Sequence, residues 1–153
     1  MIKIAITGHT AGLGKSFYDL CLSKNYIVKG FSRSNGYDLR NYSCVTDMLN
    51  EIKEFDFFIN NAKPDYAQAQ ILYRLVRQWN KGTVISIGSA VLNKMPQWDD
   101  TFLLEYVTQK HALDHAHRVL TPVTNCKLIL VNPSHLGDIT DEYAKQCLES
   151  VGI

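Results

Sequence analysis

The chain predicts an α/β protein: a three-layer, doubly wound parallel sheet of about six strands, built by residues 1–153 as one domain. Three observations carry this. Short apolar runs alternate with helical segments from Ile2 to Ser150. The runs are continuously apolar, as strands covered on both faces are. A glycine-rich turn, Thr7-Gly8-His9-Thr10-Ala11-Gly12-Leu13-Gly14, joins the first run to the first helix. Right-handed crossovers then place helices on both faces, and ligands bind beyond the carboxyl ends of the strands.

The elements follow in order. Ile2–Thr7 is the first strand, and Lys15–Ser23 is a helix with Phe17, Leu20 and Cys21 on its inner side. Tyr26–Ser32 is the second strand. Asn35-Gly36 is a turn, and Tyr37–Leu39 is a very short third strand before a helix near Tyr42–Ile52. Phe55–Asn60 is a strongly apolar strand. Pro64 suits the first turn of a helix running to about Trp79, which Lys81-Gly82 breaks. Thr83–Ile87 is a buried strand. A long helix spans Trp98–Leu120, with Thr101 or Asp99-Asp100 near its cap and Pro122 past its end. Lys127–Val131 is another strand, and Thr140–Ser150 is the last helix.

Composition bounds the function. With 153 residues, 46% hydrophobic and 20% charged, the chain reads as a soluble globular domain. Sixteen basic residues against 15 acidic ones leave a net charge of +1, with no basic patch, so nucleic acid is excluded as a partner. No apolar stretch reaches the ~20 residues that span a bilayer. The first strand begins at Ile2, which leaves no room for a signal peptide. Cys21, Cys44, Cys126 and Cys147 are scattered without a C-x-x-C, as reduced thiols in a cytoplasmic protein are.

The strand ends carry Gly8, Arg33, Asn60, Ser89 and Asn132, which the topology predicts to converge on one edge. Glycines let the backbone turn tightly against a ligand, and a helix N-terminus points free N–H groups at a phosphate. Gly14-Lys15-Ser16 imitates the end of a P-loop, but that pattern needs glycine at position 9, where His9 stands. Ser32-Arg33-Ser34 follows the second strand, where an acid would bind the ribose hydroxyls of NAD. Arg33 suits a 2′-phosphate instead, so NADP(H) is expected over NAD(H). Tyr106 and Lys110, at i and i+4, share a helix face. A neighbouring ammonium favours phenolate, which makes such a tyrosine a general acid/base near neutral pH. Ser89 ends a strand, where its hydroxyl can bond a carbonyl oxygen.

With these pieces in this order, over roughly residues 1–140, the chain resembles the short-chain dehydrogenase/reductase family. Thr7–Gly14 fits its T-G-x-x-x-G-x-G turn, and Asp38-Leu39 its acidic-apolar pair. Asn60-Asn61-Ala62 fits N-N-A-G with Lys63 for the last glycine. Ser89, then Tyr106 with Lys110, fit its serine and Y-x-x-x-K, and Asn132-Pro133 its segment beside the nicotinamide. The resemblance implies a Rossmann-like NAD(P)-binding fold. It implies Ser89, Tyr106 and Lys110 as catalytic residues: Ser89 polarises the carbonyl, Tyr106 transfers the proton, and Lys110 lowers the Tyr106 pKa and holds the nicotinamide ribose. It implies cofactor contacts from Thr7, Gly8, Thr10, Gly12, Leu13, Gly14, Ser32, Arg33, Ser34, Asp38, Leu39, Asn60, Asn61, Ala62, Lys110 and Pro133. Its members often pair through the Tyr106/Lys110 helix, so a homo-oligomer, dimer or tetramer, is expected, with Thr108, His111 and His115 on its face.

The departures are informative. The helix between the second and third strands is lost, and no Asn lies within Asp65–Trp79, where the family's catalytic asparagine sits. Gln68 and Gln70 are the amides available there. Met95, Pro96, Gln97 and Trp98 lie in a longer loop, Trp98 at a pocket entrance or in packing. Ser134 replaces a common glycine, and few residues remain to cover a substrate. His111 and His115 read as a solvated or oligomer-facing pair, not a metal site, and His117 as a core histidine. His9 reads as a turn residue, and His135 lies on the ligand side. Two functions are expected: an NADP(H)-dependent oxidoreductase acting on a small carbonyl or alcohol, or an NADP(H)-binding sensor or assembly protein without turnover.

Overall fold

A computed structural model describes residues 1–93, 101–134 and 136–153. Five strands, β1 (Lys3–Thr7), β2 (Ile27–Phe31), β3 (Phe57–Asn60), β4 (Thr83–Ile87) and β5 (Lys127–Val131), form one sheet in the order β2-β1-β3-β4-β5. Every pairing is parallel. Five helices connect and flank them: α1 (Gly12–Ser23), α2 (Tyr42–Ile52), α3 (Ala67–Val76), α4 (Thr101–Leu120) and α5 (Thr140–Ser150). The chain leaves β1 toward β2 and returns on its other side to β3. The order therefore reverses at β1, and a crevice opens above the ends of β1 and β3.

Alternation along each strand builds the three layers. Ile4, Ile6, Ile59, Ile85 and Ile87 point to one face and pack with Phe17 and Cys21 of α1 and Ala144, Cys147 and Leu148 of α5. Ala5, Phe31, Phe58 and Val84 point to the other, against Met48, Leu49 and Ile52 of α2, Ile71, Leu72 and Leu75 of α3, and Leu113 and Ala116 of α4. Both faces are buried, which is why the strands read as unbroken apolar runs. All four cysteines are free thiols. Among the described residues, no helix is long and apolar enough to cross a membrane.

Several sequence expectations differ from the structure: the first helix begins at Gly12 rather than Lys15, the strand expected from Phe55 begins at Phe57, and two further differences have a plain cause. Tyr37–Leu39 is not a strand, and among the described residues the sheet has five strands, close to the expected number of about six. Arg33–Asn35 forms a 3₁₀ turn. Tyr37 then donates its N–H back to the Ser32 carbonyl, and Asn41 caps α2 by accepting from the Cys44 N–H. Too little chain separates those anchors to run along the sheet edge. The third helix begins at Ala67 rather than Pro64, because Asp65 holds a left-handed φ of 52°. The start of the Trp98–Leu120 helix, its Asp99-Asp100 cap, the loop of Met95, Pro96, Gln97 and Trp98, and His135 lie outside the described residues.

His117 is in the core as expected, 6% exposed, with an Nε2 that meets no partner among the described residues. Burial lowers its pKa from 6.5 to about 4, with Asp114 opposing. The folded state keeps the ring neutral while the unfolded chain protonates it, so stability falls as pH drops through the interval between these values and levels below it. A gap of that size corresponds to about 3 kcal/mol. Denaturation midpoints measured from pH 7 to pH 4 should fall steeply in the parent chain and clearly less in His117→Leu. Equal slopes would remove His117 as the cause.

Candidate active site

The site begins where β1 ends. Thr7 is fully buried, and its hydroxyl accepts the N–H groups of Asn61 and Ala62, both at 3.0 Å. The Asn61 amide donates to the Thr7 carbonyl at 3.1 Å and the Gly8 carbonyl at 3.4 Å. The glycine turn is thus fastened to the Asn60-Asn61-Ala62 segment that follows β3. Gly8 and Gly12 both lie in the left-handed region, at φ 70° and 54°. The residue before α1, Ala11, offers no capping side chain, and no acidic residue occupies the first turn. Its leading N–H groups therefore remain open to an anion.

Two cavities open above the strand ends. The larger, about 860 Å³, is lined at one end by Gly8, Thr10, Gly12 and Leu13 and at the other by Ser89, Tyr106, Lys110 and Pro133. The smaller, about 450 Å³, holds Ser32, Arg33, Ser34, Asp38, Leu39 and Arg40. Gly8, Thr10 and Ala62 line both, so together they form one trough over the turn. Asn61 also lines the larger one.

Thr7, Gly14 and Asn60 line neither cavity; they form the wall behind it. Asn60 is fully buried, and its amide donates to the Gln68 carbonyl at 3.0 Å and to the Ser86 hydroxyl at 3.3 Å.

At the far end, Asn132 accepts the Ser89 N–H at 3.0 Å, which fixes the turn after β4. The Ser89 hydroxyl oxygen accepts the Val91 N–H at 3.3 Å, leaving its own proton to donate into the cavity. Tyr106 is half-buried and Lys110 is 3% exposed. The Lys110 ammonium lies 5.6 Å from the centre of the Tyr106 ring, and that of Lys63 lies 4.9 Å from it. Lys110 Nζ donates to Gln68 Oε1 and the Ile87 carbonyl, both at 2.8 Å. Burial first, and the Lys63 charge second, lower the Lys110 pKa to about 7.

Gln68 reaches further than its sequence position shows. Its amide donates to the Asn60 carbonyl at 2.8 Å and the Ile87 carbonyl at 2.9 Å, while its oxygen accepts a hydrogen bond from the Lys110 ammonium. It therefore ties β3, β4 and Lys110 together. The sequence also left Lys63 as a mere departure from a motif and did not single out Arg40. Arg40 pairs with Asp65 at 2.9 Å beside Arg33.

Arg33 is exposed at the smaller cavity, and among the described residues it makes no ion pair. Its turn is held by Asn35, which accepts the Ser32 N–H at 2.9 Å and donates to the Gly30 carbonyl at 2.7 Å. Asp38 accepts the Arg40 N–H at 3.0 Å. Thr108, His111 and His115 are exposed on α4. His9 packs its ring on Tyr18 at 5.0 Å and fills the space above Gly30. Among the described residues no group of side chains could hold a metal ion.

No protein-family model and no curated protein matches the sequence. Solved structures do match the fold. One is a small-chain dehydrogenase, with TM-score 0.80 and 16% identity over 99% of this chain and 90% of that one. Another is the 3-alpha-hydroxysteroid dehydrogenase of Pseudomonas sp. B-0831 complexed with NADH, with TM-score 0.74 and 18% identity over 98% of this chain and 88% of that one. A third is Gre2 of Candida albicans in complex with NADPH, with TM-score 0.69 and 16% identity over 88% of this chain. The chain spans 58% of that protein's length, as it does of a second reductase. At these identities the likeness is one of architecture: the chain has the Rossmann-like α/β fold of these dehydrogenases and reductases.

Proposed function

We propose that this chain is an NADP(H)-dependent oxidoreductase of the short-chain dehydrogenase/reductase type, interconverting a carbonyl and an alcohol. The observation that carries the reading is the single trough with Ser89, Tyr106 and Lys110 at one end, an uncapped glycine turn in the middle and Arg33 at the other. A dinucleotide is an extended dianion or more, and the trough suits it. The open N–H groups of α1 would take the diphosphate, Arg33 with Ser32 and Ser34 the 2′-phosphate, and Asp38 and Leu39 the adenosine. The bound nicotinamide supplies or accepts the hydride. The chain's own residues do the rest. Ser89 donates to the carbonyl oxygen, Tyr106 gives or takes the proton, and Lys110 sets the charge beside the phenol. A homo-oligomer, dimer or tetramer, through the exposed face of α4, and a cytoplasmic location belong to the same reading.

Fluorescence titration with NADPH and NADH tests the cofactor. NADPH should bind more tightly, and Arg33→Ala should remove about 10- to 100-fold of that preference, the worth of a charge-assisted hydrogen-bonded pair. Binding of neither nucleotide would sink the whole reading. Equal binding of both by the parent chain would sink only the role of Arg33.

A further inference from the structure

From the placement of Lys63 we infer that the substrate carries a carboxylate close to its reacting carbonyl, and that Lys63 is the residue that binds it. The inference rests on the oxidoreductase reading and deepens it by naming a substrate class.

Two ammonium groups face one phenol ring, Lys63 at 4.9 Å and Lys110 at 5.6 Å from its centre. They are held differently. Lys110 is buried, with two acceptors fixed on it. Lys63 is exposed and, among the described residues, pairs with no carboxylate. No aspartate or glutamate lines this cavity among the described residues either. Among the described residues, the reacting end of the trough is therefore positive without a counter-charge. The repulsion is felt inside the site, because the Lys63 charge opposes protonation of Lys110. An anion placed between the two relieves it. The lining there is otherwise mostly apolar and small, with Ala62, Val91, Pro133 and Leu136, which suits a short carbon chain.

Two sources offer an anion at this place: the substrate, and the diphosphate of the nucleotide. The position of Lys63 favours the substrate. Its ammonium sits over Tyr106, where the proton moves, whereas the diphosphate has its own cradle in the α1 N-terminus. A lysine is a flexible point charge, so it selects the presence of an anion and tolerates one or two intervening carbons.

The test uses the full chain with NADPH and a matched set of substrates: 2-oxopentanoate and 4-oxopentanoate against pentan-2-one. At least one acid should exceed the neutral ketone in kcat/KM by about tenfold, as expected of one partly exposed charge-assisted contact. Lys63→Gln should erase that gap by raising KM for the acid about tenfold more than for pentan-2-one, and Lys63→Arg should keep it. The NADPH dissociation constant should move less than about twofold in Lys63→Gln. If the neutral ketone is used as well as both acids, or Lys63→Gln weakens NADPH instead, the inference is overturned while the oxidoreductase reading stands. If no carbonyl turns over, that reading falls, and calorimetry of 4-oxopentanoate and pentan-2-one on the NADP⁺-loaded protein decides the role of Lys63. Selective binding of the acid that Lys63→Gln abolishes supports it. Equal or absent binding of both overturns it.

Discussion

Replacing Tyr106 by phenylalanine is expected to lower carbonyl turnover by about two to four orders of magnitude, the usual worth of a positioned proton donor, with NADPH affinity unchanged within about twofold. The substitution keeps the ring, and with it the packing of the Lys63 and Lys110 ammonium groups against its face. It removes one hydroxyl. Among the described residues, Thr10, Ser89, Ser134 and Thr140 also present hydroxyls to the same cavity, but they are aliphatic hydroxyls, much weaker acids than a phenol. Water cannot readily replace a held donor, because orientation is what the helix supplies. Single-turnover reduction with pre-bound NADPH reads the chemical step directly. Residual activity near that of the parent would show that the proton travels by another route and would falsify the assignment. Loss of NADPH binding together with activity would show that Tyr106 is structural. The sensor alternative makes the opposite forecast, since a chain that only binds NADP(H) shows no substrate-dependent oxidation before or after the change.

The layer order and the trough were legible because both rest on local patterns. The expected bounds of α2, β4, β5 and α5 coincide with the observed ones, the strands marked by apolar runs and the helices by apolar residues at helical spacing. The i, i+4 spacing of Tyr106 and Lys110 likewise places both on the cavity. What stayed hidden depends on distance in the chain. Gln68 meets Lys110 across 42 positions, and only the docking of α3 beside α4 brings them together. In Tyr37–Leu39 the strand preference rests on Tyr37 alone. Tertiary contacts override that preference: the Tyr37 hydroxyl donates to Glu51 at 2.6 Å, and its ring stands edge-on to Phe31. Lys63 read as a blemish in a motif because its meaning lies in the space over Tyr106, which spacing along the chain does not encode.

The second large effect is expected at Gly14, and it separates two uses of glycine in one turn. A methyl group there would stand 2.0 Å from the Gly8 carbonyl oxygen and 2.5 Å from the Asn61 amide nitrogen. The first contact is with backbone, which no rotamer change relieves. Gly14→Ala gains about 1 kcal/mol of helix propensity. Against that stands overpacking of about 1–3 kcal/mol or more, together with the Asn61 bonds to the Thr7 and Gly8 carbonyls that the shift would stretch. The clash wins, so the net loss should be about 2 kcal/mol. NADPH affinity should fall as well, because the displaced atoms belong to the turn that shapes the trough. Gly12→Ala is the control. Nothing lies within 4 Å of its added carbon, and only the φ of 54° opposes it, at a cost of about 1–2 kcal/mol. A control side chain at Gly12 still projects where the diphosphate is placed. The two variants should therefore differ in cause: Gly12→Ala loses nucleotide affinity by blocking the phosphate site, with a stability loss set by its φ alone, whereas Gly14→Ala loses both because the turn itself is displaced. Urea denaturation with an unchanged m-value, paired with NADPH titration, reads the two quantities separately. A Gly14→Ala protein as stable as the parent would mean that the turn and the Asn61 segment are not locked together, and the trough would lose the rigid floor on which its phosphate site depends.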